Sequence, residues 1–224
     1  MAAKKYIQIP RGYISVSQLV LFRNDPKRYA EQYFEVDPIR DAPNRGQVYG
    51  KEVAEAMEHA KETGDLLTDA AITLIPKYDT RDQEITAEFK DKETRSWIKV
   101  LGKPDLLDSK TKAIREIKTG KGEHAWTQEK AQNHLQIKFY QMIVYLKWGV
   151  VLKEAHLDWI RTEKVNVGSY EIPVWEIQPT GHVQSFPVVL GLKDILDTMA
   201  LTARTAKEIE VAWSCYVPNP KLVW

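Results

Sequence analysis

The chain has 224 residues, of which 43% are hydrophobic and 28% are charged, a balance typical of a folded globular protein. Its formal net charge of +1 excludes nucleic-acid binding through overall charge alone, so any such binding needs a local basic patch or a bound metal ion. A single cysteine, Cys215, excludes an internal disulfide framework and a four-cysteine zinc or iron–sulfur site held by this chain alone.

Two helical segments are predicted first along the chain. Residues 14–34 carry apolar side chains at helical spacing after Ser15 or Ser17, and the Asp-Pro pair at 25–26 divides this run into two pieces. A similar apolar pattern predicts a second helix over residues 45–62.

The middle of the chain changes to the pattern of β-strands. Short β-branched and aromatic runs predict strands at 71–75, 84–89, 96–101 and 113–117. Turn residues at 108–112 predict a hairpin loop between the last two strands.

The last part of the chain returns to helices, with two strands between them. A long helix is predicted over residues 127–148, followed by strands at 155–160 and 174–177 and a helix near 187–210. This order predicts a mixed α/β fold with one central mixed β-sheet flanked by helices.

The chain shows no composition shift that would mark a linker, so we predict a single domain over residues 1–224, with a core at about 14–180 and a C-terminal helix and tail at 183–224. No run approaches the ~18–20 apolar residues of a membrane helix, and the first ten residues lack the apolar run of a signal peptide. We therefore expect a cytoplasmic protein of a bacterium or a phage-infected host cell, with no membrane association.

The strongest chemical pattern surrounds the predicted hairpin. Asp105 ends a Gly-x-x-Asp sequence that begins at Gly102, and Glu116 and Lys118 lie in the following strand. Because side chains alternate along a strand, Glu116 and Lys118 point to one face and Ile117 to the other. If the hairpin pairs the segment of Asp105 with this strand, the two carboxylates converge into a hard-oxygen site suited to Mg²⁺ or Mn²⁺. Such an ion lowers the pKa of a bound water, and an adjacent lysine stabilises charge on a phosphate oxygen.

A Glu-x-Lys tripeptide alone is more often a surface ion pair. Two features favour the catalytic interpretation here. The Gly-x-x-Asp sequence precedes the tripeptide at hairpin spacing. The charged pair also lies in an otherwise apolar strand with Ile114 and Ile117, where charged side chains call for a functional explanation.

Three motifs follow one another along the chain: Gly102-Lys-Pro-Asp105, Arg115-Glu-Ile-Lys-Thr-Gly-Lys121 and Gln136-Ile-Lys-Phe-Tyr140. In this order they resemble the PD-(D/E)XK nuclease superfamily, in its RecB-like and lambda-exonuclease-like branch. The segment 14–29 and the pair Arg45-Gly46 are similar to the opening elements of that branch. The resemblance covers roughly residues 14–148 and implies a restriction-endonuclease-like core.

The resemblance implies a role for each residue of the catalytic strand and its neighbour. Asp105 and Glu116 would hold Mg²⁺ or Mn²⁺, helped by the backbone carbonyl of Ile117. Lys118 would act on the nucleophilic water or on the scissile phosphate.

The downstream helix would complete the site. Gln136 and Tyr140 lie at i and i+4 on one helix face, and by the resemblance they would lie beside the catalytic strand and contact DNA or the lysine. Gln141 to Tyr145 is an overlapping match, and the spacing to the turn near Gly149 favours Gln136.

The chain departs from the family in two respects. The metal-binding His or Glu of the branch falls at Gly50, which leaves open a second metal ion and also a degenerate fold that binds DNA without cutting it. In iron–sulfur relatives cysteines hold a cluster, whereas here Asp25 takes the first such position and Cys215 stands alone, so no cluster is expected.

Basic and aromatic residues after the catalytic strand form a candidate nucleic-acid-binding surface. Lys121, His124, Trp126 and Lys130 lie there, and Arg45 opens the second helix. Such side chains contact phosphates and stack on bases, although a solvated loop with a packing tryptophan has the same composition.

Three further aromatic residues are expected to have structural roles. His134 precedes the Gln136 face and is expected to be a structural histidine. Trp159 and Trp175 lie in predicted strands and are expected in the core.

These features together predict a metal-dependent deoxyribonuclease that hydrolyses phosphodiester bonds with metal-activated water. Action at the ends of linear DNA, in recombination, repair or DNA processing, follows by analogy with the exonucleases of the branch. The partners implied are DNA, a single-strand-annealing or recombination protein, and further copies of the chain. The alternative is a catalytically degenerate DNA-binding or assembly module.

Overall fold

The structure is a computed structural model that describes residues 4–35, 64, 66–75, 78, 80–81, 83–153 and 155–216. In these residues the helices are α1 (Val16–Asn24), α2 (Pro26–Tyr33), α3 (Leu66–Thr73), α4 (Gln128–Gln132), α5 (Leu135–Trp148) and α6 (Leu192–Ser214). The strands are β1 (Ile14–Ser15), β2 (Thr80–Arg81), β3 (Ile85–Lys90), β4 (Trp97–Gly102), β5 (Leu106–Leu107), β6 (Ile114–Lys121), β7 (Ala155–Asn166) and β8 (Trp175–Val188).

The described strands form two mixed sheets. The first has the order β1-β4-β3, with β1 parallel and β3 antiparallel to β4. The second has the order β2-β5-β6-β7-β8, in which only β6 and β7 are parallel. The mixed α/β class flanked by helices is confirmed, but the strands are divided between two sheets instead of one. Lys103 and Pro104 separate β4 from β5, and Pro104 has no N–H with which to continue a ladder.

Helix α5 lies where the two sheets meet. It packs on β3 and β4 of the first sheet and on β6 and β7 of the second. Its apolar side chains Ile137, Phe139, Met142 and Ile143 are fully buried in the main core. Gly149 ends the helix in the left-handed conformation, with φ of 70°, and its N–H donates to the Tyr145 carbonyl at 2.7 Å.

The first two helices begin where the sequence predicts. Ser15 caps α1 by accepting from the Gln18 N–H at 3.4 Å, and Asp25 caps α2 by accepting from the Arg28 N–H at 2.9 Å. The helix predicted over 45–62 lies outside the described residues.

Residues 71–75 do not form the predicted strand. Leu66–Thr73 is helix α3, which packs on β8 at the opposite face of the second sheet from α5. Ala71 and Ile75 are buried there with Leu106 and Ile160 in a second apolar cluster. The β-branched residues favour a strand only weakly, and burial of one helical face against the sheet outweighs that preference.

Three other boundaries differ from the prediction. The helix expected over 127–148 is divided into α4 and α5, because His134 is extended, with φ of −69° and ψ of 114°. Strands β7 and β8 run longer than expected, to Asn166 and from Trp175 to Val188. Since β8 ends at Val188, the last helix begins at Leu192 instead of near 187.

The hairpin loop at 108–112 is confirmed, but the strand that it joins to β6 is the short β5, whereas the prediction had the strand at 96–101 there. The Asp108 N–H donates to the Ala113 carbonyl at 2.9 Å, and Leu106 and Leu107 pair with Arg115 and Ile114. Among the helices of the described ranges, none has both the length and the apolar character required to cross a membrane.

Candidate active site

The hairpin places Asp105 beside the strand that carries Glu116. Asp105 directly precedes β5, and its Oδ2 accepts a hydrogen bond from the Ile117 N–H at 2.7 Å. The N–H and C=O of one residue point to the same edge of a strand, so the Ile117 carbonyl also faces the edge at which Asp105 lies. A carboxylate and a backbone carbonyl therefore meet at the end of β5.

Glu116 and Lys118 share one face of β6, as their spacing predicts. Lys118 Nζ lies 2.7 Å from Glu116 Oε1, and the Glu116 side chain is only 3% exposed. Ile117 points to the other face, where it packs against the cluster of Leu106 and Ile160.

Helix α5 adds Gln136 and Tyr140 to this face. Gln136 Oε1 accepts from Lys118 Nζ at 2.8 Å, and its Nε2 donates to Tyr140 OH at 2.9 Å and to Glu116 Oε1. Tyr140 OH donates in turn to the Lys103 carbonyl at 3.0 Å. One network thus joins the helix, β6 and the segment between β4 and β5.

Of the two overlapping Gln-x-x-x-Tyr matches, the one at Gln136 reaches this network. Gln141 is fully buried in the core, and neither of its amide atoms is hydrogen-bonded to a described residue.

Gly102 allows α5 to approach the end of β4. A Cβ at this position would lie 2.7 Å from Ile143 Cδ1 and 3.0 Å from Tyr140 Cδ1. A larger residue would displace the tyrosine ring from the position in which its hydroxyl reaches Lys103. The glycine of the Gly-x-x-Asp motif therefore has a packing role in the site.

The surroundings of the Glu116 carboxyl disfavour its ionised form. Burial, and second the charge of Asp105, raise the pKa of Glu116 to about 8, although Lys118 acts in the opposite direction. Its Oε2 is buried and accepts no hydrogen bond from any described residue. A cation at this point would both satisfy that oxygen and relieve the repulsion between the two carboxylates.

The donor set fits a hard divalent cation. Asp105, Glu116 and the Ile117 carbonyl offer oxygen ligands, and Mg²⁺ is commonly held by one or two carboxylates with several waters. No group of three or more His, Cys, Asp or Glu suited to a metal occurs in the part of the chain that the structure describes. Gly50, where the resemblance implies a further ligand position, lies outside that part.

His134 lies close to Lys118 at the beginning of α5. Its ring meets Trp126 edge to face, with centroids 5.0 Å apart. Burial, and second the charge of Lys118, lower the pKa of His134 to about 4, so the ring is neutral at pH 7. Its Nδ1 is buried without a hydrogen-bond partner among the described residues.

The predicted nucleic-acid-binding residues are dispersed along the connection from β6 to α5. Trp126 is half-buried and packs on the main core, and Lys130 is exposed with its Nζ donating to the Ala125 carbonyl at 3.1 Å. Lys121 is exposed and lies 3.8 Å from Glu123. By strand alternation Lys121 belongs to the face opposite Lys118, which separates it from the carboxylates.

The other two residues of that prediction are His124 and Arg45. The backbone of His124 ends a short 3₁₀ helix, Gly122–His124. Arg45 lies outside the described residues. The nucleic-acid role of all five residues stays a prediction.

A buried ion pair on the other face of β6 has no counterpart in the sequence prediction. Arg115 Nη1 lies 2.8 Å from both carboxylate oxygens of Asp158, and both side chains are buried. The pair ties β6 to β7 on the face opposite Glu116. The two residues are 43 positions apart, so no local pattern could have shown their contact.

The two strand tryptophans differ in burial. Trp159 is in the core, as predicted, whereas Trp175 is 44% exposed and the prediction for it is wrong. Trp175 pairs with Asn166 beyond Thr162, where β6 has ended, so none of the described strands lies beside the outer part of the β7–β8 hairpin. Its ring contacts Lys164, whose Nζ is 5.1 Å from the centroid.

Comparison with known proteins relates the fold to one named as a nuclease. No protein-family model matches the chain, and no curated protein matches it in sequence. A solved structure from Eubacterium rectale, provisionally named an exonuclease, is 14% identical over 95% of this chain and 86% of that chain, with a TM-score of 0.55. The crystal structure of SSO0001 is 12% identical over 88% of this chain and 76% of that chain, with a TM-score of 0.48. At 14% identity the first similarity establishes a shared fold.

Proposed function

We propose that this chain is a metal-dependent nuclease of the PD-(D/E)XK type that hydrolyses phosphodiester bonds of DNA. The observation that carries the proposal is the convergence of Asp105, Glu116 and Lys118, in which a buried carboxylate oxygen of Glu116 has no donor in the described structure. Two carboxylates and a lysine at one strand edge form a costly arrangement that a bound cation and a phosphate would compensate.

Asp105, Glu116 and the Ile117 carbonyl would hold Mg²⁺ or Mn²⁺. When bound, the ion supplies a water of lowered pKa and positive charge at the phosphate. Lys118 carries its ammonium on the same face and would donate to the phosphate oxygen on which charge develops, or orient the water.

The two residues of α5 are proposed to act through the lysine. Gln136 accepts from Lys118 Nζ and thereby limits the positions of the ammonium. Tyr140 accepts from Gln136 and donates to the Lys103 carbonyl, which fixes the glutamine relative to the strand. Such preorganisation matters because small displacements of a catalytic group cost much of the rate.

The finer parts of the proposal rest on analogy. Cleavage from the ends of linear DNA, in recombination, repair or DNA processing, is supported by the resemblance of the motifs and by the name of the Eubacterium rectale protein. A single-strand-annealing or recombination protein and further copies of the chain remain proposed partners.

A second candidate function is a DNA-binding or assembly module that has lost catalysis. Gly50 at the family's ligand position favours it, and so does the lack of a three-ligand group in the described residues. This candidate predicts DNA binding without turnover in either metal.

Cleavage of end-labelled linear and closed circular DNA in Mg²⁺, Mn²⁺ or EDTA tests the proposal. We expect metal-dependent loss of the linear substrate, with circles surviving if the enzyme acts at ends. The control is Asp105→Asn, which keeps an oxygen to accept from Ile117 but removes a ligand charge, and it should not cut. DNA bound but uncut in both metals would contradict the nuclease and favour the second candidate.

A further inference from the structure

The face that carries Glu116 and Lys118 continues along β6 and β7. The two strands are parallel, with Lys118 beside Trp159 and Gly120 beside Arg161. Residues two apart on a strand share a face, and register partners in neighbouring strands point the same way. The side chains of Trp159 and Arg161 therefore extend the catalytic face in the direction away from Glu116.

Two glycines bring polar groups of β7 close to the end of β6. A Cβ at Gly120 would lie 3.3 Å from Trp159 Nε1, and a Cβ at Gly122 would lie 2.8 Å from both Nε and Nη2 of Arg161. Within the described structure, apart from neighbours in the chain, Trp159 Nε1 is the one atom within 4 Å of the Gly120 position. The bare backbone at Gly120 thus leaves the indole N–H facing the strand with no side chain of Gly120 between them.

Both of these side chains have hydrogen-bond donors for which the described residues provide no acceptor. Trp159 is 3% exposed, and its indole N–H is buried without an acceptor among the described residues, an unfavourable state. Arg161 is exposed, and its guanidinium has no ion pair with a described residue. A guanidinium is suited to bidentate contact with a phosphate, and an indole N–H supplies one further donor.

We propose that Trp159 and Arg161 form a second phosphate subsite, which binds the backbone phosphate next to the one that is cut. Residues two apart on a strand are separated by ~7 Å, which is comparable to the distance between successive phosphates of one nucleic-acid strand. With one phosphate at Lys118, the next falls above Gly120, between the indole N–H and the guanidinium. The inference rests on the proposed function and extends it to the binding of the cut strand.

Single-phosphate neutralisation tests the subsite. We use a series of short DNA and RNA oligonucleotides, each with a single methylphosphonate at a different position. Their affinity for the full chain in Ca²⁺ is measured by fluorescence anisotropy. Lys118→Ala should remove the sensitivity of binding to neutralisation of one particular phosphate. For the wild-type chain we expect that neutralising the phosphate next to it lowers the affinity about tenfold. Arg161→Ala should bind the unmodified strand about tenfold more weakly, lose sensitivity at that phosphate, and reduce the slope of log K against log salt by about 1.

Two further variants separate a subsite from general charge and packing effects. Arg204→Ala removes an equally exposed arginine from α6, where it lines a cleft with Asp91, and should leave affinity unchanged. Trp159→Phe keeps the ring in the core but removes the N–H, and should weaken binding several-fold without lowering the melting temperature by more than a few degrees.

The outcomes distinguish the subsite from the nuclease. If the wild-type chain cuts DNA but Arg161→Ala retains the wild-type sensitivity at the adjacent phosphate, the subsite is overturned and the nuclease stands. A second outcome is that the wild-type chain does not cut DNA, while Arg161→Ala abolishes the loss of affinity caused by the single methylphosphonate. In that case the subsite stands and the nuclease fails. The absence of binding to any strand would overturn the subsite.

Discussion

The carboxylate of Asp105 is hydrogen-bonded to the backbone of Ile117, with Oδ2 2.7 Å from the amide nitrogen. This contact ties one proposed metal ligand to the strand that carries the others. The distance between the carboxylates of Asp105 and Glu116 is therefore set by strand pairing, and their mutual repulsion is built into the folded chain. Two consequences, both of them through Glu116, can be measured.

Metal binding should depend on pH through Glu116. Because its pKa is raised to about 8, the carboxyl of the metal-free chain holds a proton at pH 7, which a bound cation must displace. We expect the affinity for Mg²⁺ or Mn²⁺ to rise with pH up to about 8 and then level off. Calorimetry at pH 7 in buffers of different ionisation enthalpy should show release of close to one proton per ion. Equal affinity at pH 6 and pH 8 would contradict this assignment.

The same carboxyl should make the metal-free chain less stable at higher pH. The pKa of Glu116 in the folded chain lies above its ordinary value of 4.5. The stabilisation of the folded chain by the protonated carboxyl is therefore fully present below pH 4.5 and is lost as pH rises through about 8. Glu116→Gln cannot ionise, so at pH 8 this variant should melt at or above the wild-type temperature while it loses metal binding. If Glu116→Gln melted at a lower temperature than the wild-type chain at pH 8, the claim that the ionised Glu116 destabilises the folded chain would be wrong.

The hydrogen bond between Gln136 and Tyr140 should appear as a coupling free energy. A double-mutant cycle of Gln136→Met and Tyr140→Phe, measured by denaturant unfolding, should give about 0.5–1.5 kcal/mol. The control cycle pairs Gln136→Met with Tyr145→Phe, which lies more than two turns further along α5, and should be additive. Gln136→Met should also reduce kcat about tenfold, because Lys118 loses an acceptor. Additive effects in the first cycle would argue that the contact is not formed in solution.

The stability of the folded chain should depend on Arg115 and Asp158 being present together or absent together. Asp158→Ala leaves a buried guanidinium without its carboxylate and should cost about 3–5 kcal/mol of unfolding free energy. Replacing both residues, as Arg115→Met with Asp158→Leu, should recover much of that loss. Asp197→Ala breaks the exposed pair with Lys193 and should not change the melting temperature measurably. A double variant no more stable than Asp158→Ala would contradict this account.

The arrangement of side chains on β6 was predictable because its geometry is local. Alternation along β6 places Glu116 and Lys118 on one face, and the short loop at 108–112 constrains Asp105 to lie beside them. The helical spacing of four residues places Gln136 and Tyr140 together in the same way. Each of these relationships needs only the period of one element or the length of one turn.

The remaining features depend on contacts between distant segments. Residues 71–75 have a strand-like composition, and their helix is favoured by packing on β8. Residues 161–166 do not alternate in hydrophobicity, so the extension of β7 through Arg161 was not predictable from a periodic pattern. The position of Trp159 beside Gly120 follows from the parallel register of β6 and β7, which no short stretch of sequence encodes.

Single-turnover cleavage of end-labelled linear DNA in Mg²⁺ by Lys118→Ala is the most direct test of the catalytic set. The control is Lys138→Ala, which removes a lysine of α5 lying about 200° around the helix from Gln136. We predict that Lys118→Ala cuts at least about 100-fold more slowly than the wild-type chain while it still folds, with a single cooperative melting transition above the assay temperature, and that Lys138→Ala cuts normally. Equal cutting by the two variants would contradict the assignment of Lys118 and, with it, the proposed active site.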